Sequence, residues 1–205
     1  MKVLLINGSP HEKGCTYTAL SLIAGELKAQ GIETEILHVG GQPVGGCIGC
    51  GGRSGNGCVF GGVVNEAIEK AKTADAFVFG SPVHYASAAG NMASFMDRLA
   101  YAGGKYLAYK PAAVCCSARR AGTTSTLDQL VKYPQFFHMP LVNGSYWAMV
   151  HGSNPEQVLQ DAEGCAVMQE LGRNMAWLLR CIEAGKAAGI DHPQNPPRPM
   201  TSFIR

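Results

Sequence analysis

Charge is scarce in this chain of 205 residues. Charged residues make up 16%, 17 Lys and Arg stand against 15 Asp and Glu, and the formal net charge is only +2. With no basic run anywhere, nucleic acid and anionic membrane surfaces are poor partners. Long hydrophobic runs are missing too. No segment approaches the roughly 20 apolar residues that cross a bilayer. The apolar opening, residues 1–8, is too short for a signal peptide and stops at a glycine turn. These absences predict a cytoplasmic globular protein without membrane or nucleic-acid partners.

What is present is an ordinary core-forming composition, 46% hydrophobic, in a length that suits one domain. The chain also carries 26 Gly and 8 Cys. In a cytoplasmic setting those cysteines are thiols, metal ligands or redox groups before they are structural disulfides.

Residues 2–7 form a continuous apolar run, the pattern of a strand buried on both faces. From Thr16 the period changes, and Leu20, Ile23, Ala24 and Leu27 make one helical stripe that Gly31 ends. Residues 32–39 read as a second strand. A glycine-dense stretch, 40–62, is too rich in backbone freedom for a regular element and is predicted to be a loop. Val64, Ala67, Ile68 and Ala71 mark a helix, 75–80 a third strand, and Met92, Phe95, Met96 and Leu99 another helix. Residues 111–117 read as a fourth strand, 123–131 as a weak helix and 141–146 as a fifth strand. A long last helix carries Met168, Leu171, Met175, Leu178 and Ile182. Four prolines, at 193, 196, 197 and 199, keep the tail irregular. Strands buried on both faces, alternating with helices, predict an α/β fold with a five-stranded parallel doubly wound sheet over 1–188 and a tail over 189–205. In such sheets ligands bind beyond the carboxyl ends of the strands, so the loops after strands are the places to look for chemistry.

After the first strand comes Gly8-Ser9-Pro10-His11-Glu12-Lys13-Gly14-Cys15-Thr16-Tyr17-Thr18, which leads into a helix N-terminus. Unpaired N–H groups and the helix dipole suit an anion there, with hydroxyls from Ser9, Thr16 and Thr18 and a charge from Lys13. The Walker ending is absent and G-x-G-x-x-G fails in every register. A single terminal phosphate therefore fits better than a pyrophosphate. The alternative is an ordinary strand-to-helix turn with a threonine N-cap.

After the third strand comes Gly80-Ser81-Pro82-Val83-His84-Tyr85-Ala86-Ser87, which runs towards Asp97-Arg98. With the first loop, this resembles the NADPH-dependent FMN reductase family of flavodoxin-like proteins over roughly residues 1–150. The family pairs a G-S-P-x-x-x-G-x-T phosphate loop with an S-P-x-Y flavin loop before a helix containing Asp-Arg. The resemblance implies a flavodoxin-like three-layer sandwich and non-covalent FMN. It places Ser9, His11, Cys15, Thr16 and Tyr17 around the ribityl phosphate, with Cys15 where members usually have Asn. It places Pro82, Val83, His84, Tyr85 and Ser87 along the isoalloxazine ring. In related proteins the loop after the fourth strand, here Ala118-Arg119-Arg120-Ala121-Gly122, borders the pyrimidine edge. A guanidinium there is suited to negative charge on the ring or to the nicotinamide phosphates. Two solvated arginines are the alternative.

The family further implies an NAD(P)H co-substrate, ping-pong electron transfer to a quinone, free flavin or metal ion, and a homodimer or homotetramer onto whose neighbour the tail is placed to reach. The cofactor carries such chemistry, so no side chain is expected to be catalytic in its own right. A flavodoxin-type carrier is the rival reading, but such carriers are typically strongly acidic. The segment from Cys47 to Cys58 resembles the cluster loop of the iron–sulfur flavoproteins, a branch of the same superfamily, with Cys47, Cys50 and Cys58 kept and Arg53 at the remaining position. A [4Fe–4S] cluster normally takes four thiolates, and arginine cannot coordinate. A bound cluster or metal is therefore not expected, and any metal would sit at these three cysteines. A vestigial loop and a redox-active Cys47/Cys50 dithiol are the remaining readings.

Overall fold

Strands and helices alternate along the chain: β1 (Lys2–Asn7), α1 (Cys15–Ala29), β2 (Glu33–His38), α2 (Val63–Thr73), β3 (Ala76–His84), β4 (Ser87–Ala88), α3 (Gly90–Gly103), β5 (Ala112–Ala118), α4 (Thr123–Phe136), β6 (Met149–His151), α5 (Pro155–Val158) and α6 (Ala162–Ala187). The computed structural model describes residues 1–51, 55 and 57–203. The parallel strands lie in the order β2-β1-β3-β5-β6, and β4 pairs antiparallel with the end of β3. From β1 the chain steps outward to β2 and then returns past β1 to β3. This reversal opens a crevice at the carboxyl ends of β1 and β3.

Two apolar layers hold the sheet. Val3, Leu5, Val78 and Cys115 face α1 and α6, while Leu4, Ile6, Phe77 and Phe79 face α2, α3 and α4. Leu20, Ile23 and Leu27 of α1 are fully buried, each contributing about 1.5–3 kcal/mol of transfer free energy. On α6, Gly172 lets the two helices meet closely, since a Cβ there would stand 2.8 Å from the Ile23 carbonyl oxygen.

The strands expected at 2–7, 32–39, 75–80 and 111–117 form as β1, β2, β3 and β5, but the fifth forms further along. Residues 141–146 were expected to pair; instead, Leu141 makes only an isolated bridge to Ala112. The chain then leaves the edge, exposing Tyr146 and Trp147, and rejoins β5 as Met149–His151, with Cys116 opposite Met149. A lone edge strand gains packing from one neighbour only, so its apolar pattern fixes its register weakly. The weak fourth helix runs on to Phe136, with Pro134 inside its last turn.

Beyond α6 the described tail has no regular element. It lies at the amino end of the sheet, where the Tyr109 ring stacks with His138 and His192 at centroid distances of 5.4 and 4.4 Å. Asn195 donates to the Tyr109 hydroxyl at 2.6 Å.

Candidate functional site

Asn7, fully buried at the end of β1, organises the first loop. Its Oδ1 accepts the Ser9 N–H at 3.1 Å and its Nδ2 donates to the Glu12 carbonyl at 2.9 Å. Its backbone carbonyl accepts N–H bonds from Val39 and Gly40 at 2.9 and 3.3 Å. Behind the loop, His38 Nε2 lies 2.8 Å from the Ser9 carbonyl, so this nitrogen carries the proton and donates. Gly40 is pressed so close that a Cβ would sit 2.2 Å from the Ser9 carbonyl oxygen. The sequence marks Asn7 and His38 only as strand ends. Nothing in their spacing announces this second role.

The N-cap of α1 is Gly14, with no side-chain cap. The Thr16 hydroxyl is buried against Ser117 Oγ at 2.8 Å, and the Thr18 hydroxyl donates back to the Gly14 carbonyl at 3.2 Å. A threonine N-cap therefore does not form. The N–H groups of Cys15, Thr16 and Tyr17 have no carbonyl within the helix to meet, and the helix dipole favours an anion beside them. Ser9 Oγ accepts the His11 N–H at 3.1 Å, which leaves its own proton to offer. His11 and Lys13 are exposed on the same turn. Cys15 Sγ donates to the Gly152 carbonyl at 3.5 Å, and burial pushes its thiol pKa up.

The third-strand loop is a hairpin. His84 pairs with Ser87 across Tyr85 and Ala86, whose φ values are +51° and +58°. Two consecutive positive φ values are the primed geometry that two-residue hairpins favour, usually supplied by Asn-Gly. Without glycine each such residue costs about 1 kcal/mol or more, so the neighbours must hold it. Ser125 donates to the Ala86 carbonyl at 2.6 Å, and Gln129 Oε1 accepts from Ser87 Oγ at 2.5 Å and from the Ala88 N–H at 2.9 Å. Ser81 Oγ accepts the Ala89 N–H at 3.0 Å. The Tyr85 side chain is fully exposed at the tip. Pro82 and Val83 are half-buried, and His84 is exposed.

The loop after β5 closes against this hairpin. Gly122, with φ +96°, would place a Cβ 2.7 Å from Ala86 Cα and 2.9 Å from Val83 Cγ1. Ala118 is buried at the strand end, and Arg119 and Arg120 are both exposed. The Thr16–Ser117 bond ties the first loop to the end of β5, and Gly122 ties the turn after it to the hairpin. The three predicted loops thus form one connected rim.

The cysteine loop stands beside them. Cys47 and Cys50 are half-buried and Cys58 is buried. Cys47 Sγ accepts the Gly49 N–H at 3.4 Å, while Cys58 Sγ accepts Arg98 Nε–H at 3.1 Å. Arg53 lies outside the described residues. Among the described residues no three His, Cys, Asp or Glu side chains converge as a metal site would require. A four-thiolate cluster does not fit this donor set. Cys115 and Cys116 are core thiols, and burial pushes the Cys116 pKa up to about 12.

Residues 1–154 match the family model described as NADPH-dependent FMN reductase. The chain is 28% identical over 192 residues to an iron-sulfur flavoprotein of Methanocaldococcus jannaschii, covering 89% of this chain and 100% of that one. Among solved structures it resembles a flavodoxin from the Archaea, with TM-score 0.60 at 14% identity, covering 88% of this chain and 99% of that one. It also resembles an apo NADH:FMN oxidoreductase, with TM-score 0.62 at 21% identity, covering 88% and 89%. At such identities the two structures show a shared flavodoxin-like fold.

Proposed function

Because the chain belongs to the NADPH-dependent FMN reductase family, we propose that it holds FMN on the rim of its three loops and passes electrons from NADH or NADPH to a small acceptor. The observation that carries this reading is the joining of an open helix N-terminus to a braced hairpin through Thr16–Ser117 and Gly122. The cradle suits one phosphate group: N–H donors from Cys15, Thr16 and Tyr17, a hydroxyl from Ser9, and cationic or polar groups from Lys13 and His11. Pro82, Val83, His84, Tyr85 and Ser87 provide a firm edge for a planar ring.

Bound FMN would supply the two-electron chemistry, accepting hydride from the nicotinamide and yielding electrons to the acceptor. The protein's part is to position and to balance charge. Arg119 and Arg120, beside Ala118 and Gly122, are suited to negative charge on the ring's pyrimidine edge or to the nicotinamide phosphates. No side chain has to give or take a proton for hydride transfer. Exposure of His84, Tyr85, Arg119 and Arg120 on one rim supports a ping-pong order, with donor and acceptor using the same approach in turn.

The test is an absorbance spectrum of the purified chain with its extracted cofactor identified, followed by stopped-flow mixing with NADH and NADPH. A flavin spectrum bleached by at least one of them is expected. Bound flavin that neither nicotinamide bleaches would favour the second reading, an electron carrier without nicotinamide turnover. The relative named as an iron-sulfur flavoprotein gives that reading its support. Association into a homodimer or homotetramer belongs to the same proposal and is read by light scattering.

A further inference from the structure

We infer that the cysteine loop is a metal-independent clamp organised by Arg98, in which Cys58 serves as a hydrogen-bond acceptor and not as a ligand to a metal or cluster. The inference does not depend on the flavin reading.

Arg98 projects from α3 and is 6% exposed. Its Nε donates to Cys58 Sγ at 3.1 Å, one terminal nitrogen to the Gly61 carbonyl at 3.1 Å, and the other to the Gly45 carbonyl at 3.5 Å. The Phe60 ring covers the guanidinium at 5.2 Å. Asn65 of α2 grips the Cys58 backbone from both sides, accepting its N–H at 2.7 Å and donating to its carbonyl at 3.1 Å. At the loop's beginning, Asn91 accepts the Val44 N–H at 3.2 Å and donates to the Gly40 and Gln42 carbonyls at 3.1 and 3.0 Å.

Metal loops lacking such support are folded by their ligands, so that binding energy becomes folding energy. Here three side chains on two helices, Asn65, Asn91 and Arg98, hold both ends of the loop. A divalent cation drawn to Cys58 would share that sulfur with a buried guanidinium, and like charges repel strongly where water is excluded. For a four-thiolate cluster the obstacle is the donor count, because Cys47, Cys50 and Cys58 are three and position 53 is Arg.

The test takes the full chain, prepared anaerobically and incubated with ferrous iron and sulfide, then desalted. Iron, acid-labile sulfide and flavin are measured on one sample, and limited proteolysis is run with and without EDTA. Iron below about a tenth of an atom per chain is expected, set against the roughly four of a full cluster, with cleavage in 40–62 indifferent to EDTA. Arg98→Met should speed that cleavage about tenfold or more by opening the loop locally, and Asn65→Ala should speed it less. Near-stoichiometric iron and sulfide, or a loop that EDTA makes cleavable, would overturn the inference. If Arg98→Met does not fold, Asn65→Ala decides alone, and unchanged cleavage there overturns the clamp. Flavin in the same sample reports separately on the proposed FMN site.

Discussion

The loops that leave the neighbouring strands β1 and β2 are both rich in glycine, yet they are built in opposite ways. Residues 8–14 pass directly into α1. They are shaped from behind by Asn7, His38 and Gly40, and they lead to a helix start whose N–H groups, at Cys15, Thr16 and Tyr17, have no carbonyl partner within the helix. The loop after β2 runs to α2 and is held by Asn91, Arg98 and Asn65. The lesson concerns where donors are left over. A short loop that feeds straight into a long helix leaves that helix's first N–H groups for a ligand, whereas a loop whose two ends are gripped by helix side chains has become a wall.

If this contrast is right, variants in the second loop should lower stability and leave FMN affinity nearly alone, with the reverse in the first. Arg98→Met has the largest expected effect, a loss of about 2–4 kcal/mol in urea unfolding from breaking bonds to a buried charged group. Its FMN affinity should stay within about threefold, and a collapse of affinity would break the contrast. Gly40→Ala lies where the two loops touch. Its Cβ meets the Ser9 backbone, which cannot yield as a side chain would, so a stability loss of about 2–3 kcal/mol should come with weaker FMN binding in a fluorescence titration. Thr16→Val and Ser117→Ala should each cost about 1–2 kcal/mol by leaving a buried hydroxyl unpaired, and the double variant less than their sum. Ser9→Ala should weaken FMN about tenfold while leaving riboflavin, which has no phosphate, unchanged.

The smallest effect is expected at neither loop. Hydrogen bonds from Lys2 and then Lys70 hold the Glu35 carboxyl below its usual pKa, with contacts of 2.8 and 2.6 Å. A carboxylate depressed in the folded state stabilises above its unfolded pKa of about 4.3 and loses that contribution as pH falls through the folded value. Glu35→Gln should therefore flatten the acid limb of the stability profile by lowering stability slightly at neutral pH, where the two lysine contacts contribute, and leave the acid end little changed.

Much of the fold can be read from the sequence because β1, β3 and β5 are buried on both faces and their apolar runs admit few other readings. The last strand was expected at 141–146 and forms instead at Met149–His151. Residues 141–150 carry apolar residues on both sides of Asn143-Gly144-Ser145, and pairing is decided by where the chain can rejoin β5, a tertiary matter. The hairpin at Tyr85 and Ala86 was hidden for a related reason, since neither residue signals positive φ and its braces, Ser125 and Gln129, come some 40 residues later. The loops of the rim were legible from their hydroxyls and glycines. The residues that set their shape were not, because Asn7, His38 and Ser117 act through side-chain contacts with the first loop and the start of α1 that no local pattern announces. Arg98 was visible only as half of an Asp-Arg pair, and that it would lie buried against Cys58 has no local signature.

The close contact of Gly172 with Ile23 has a consequence for how the molecule is made. The helix that offers its N–H groups to an anion is synthesised among the first thirty residues, but one side of its apolar stripe is covered by α6, whose Gly172 follows Ile23 by 149 residues. Until then α1 rests on the sheet with its flank towards α6 bare, so the nascent chain carries a sticky surface beside the cradle. Cofactor capture should accordingly be an event of the finished polypeptide.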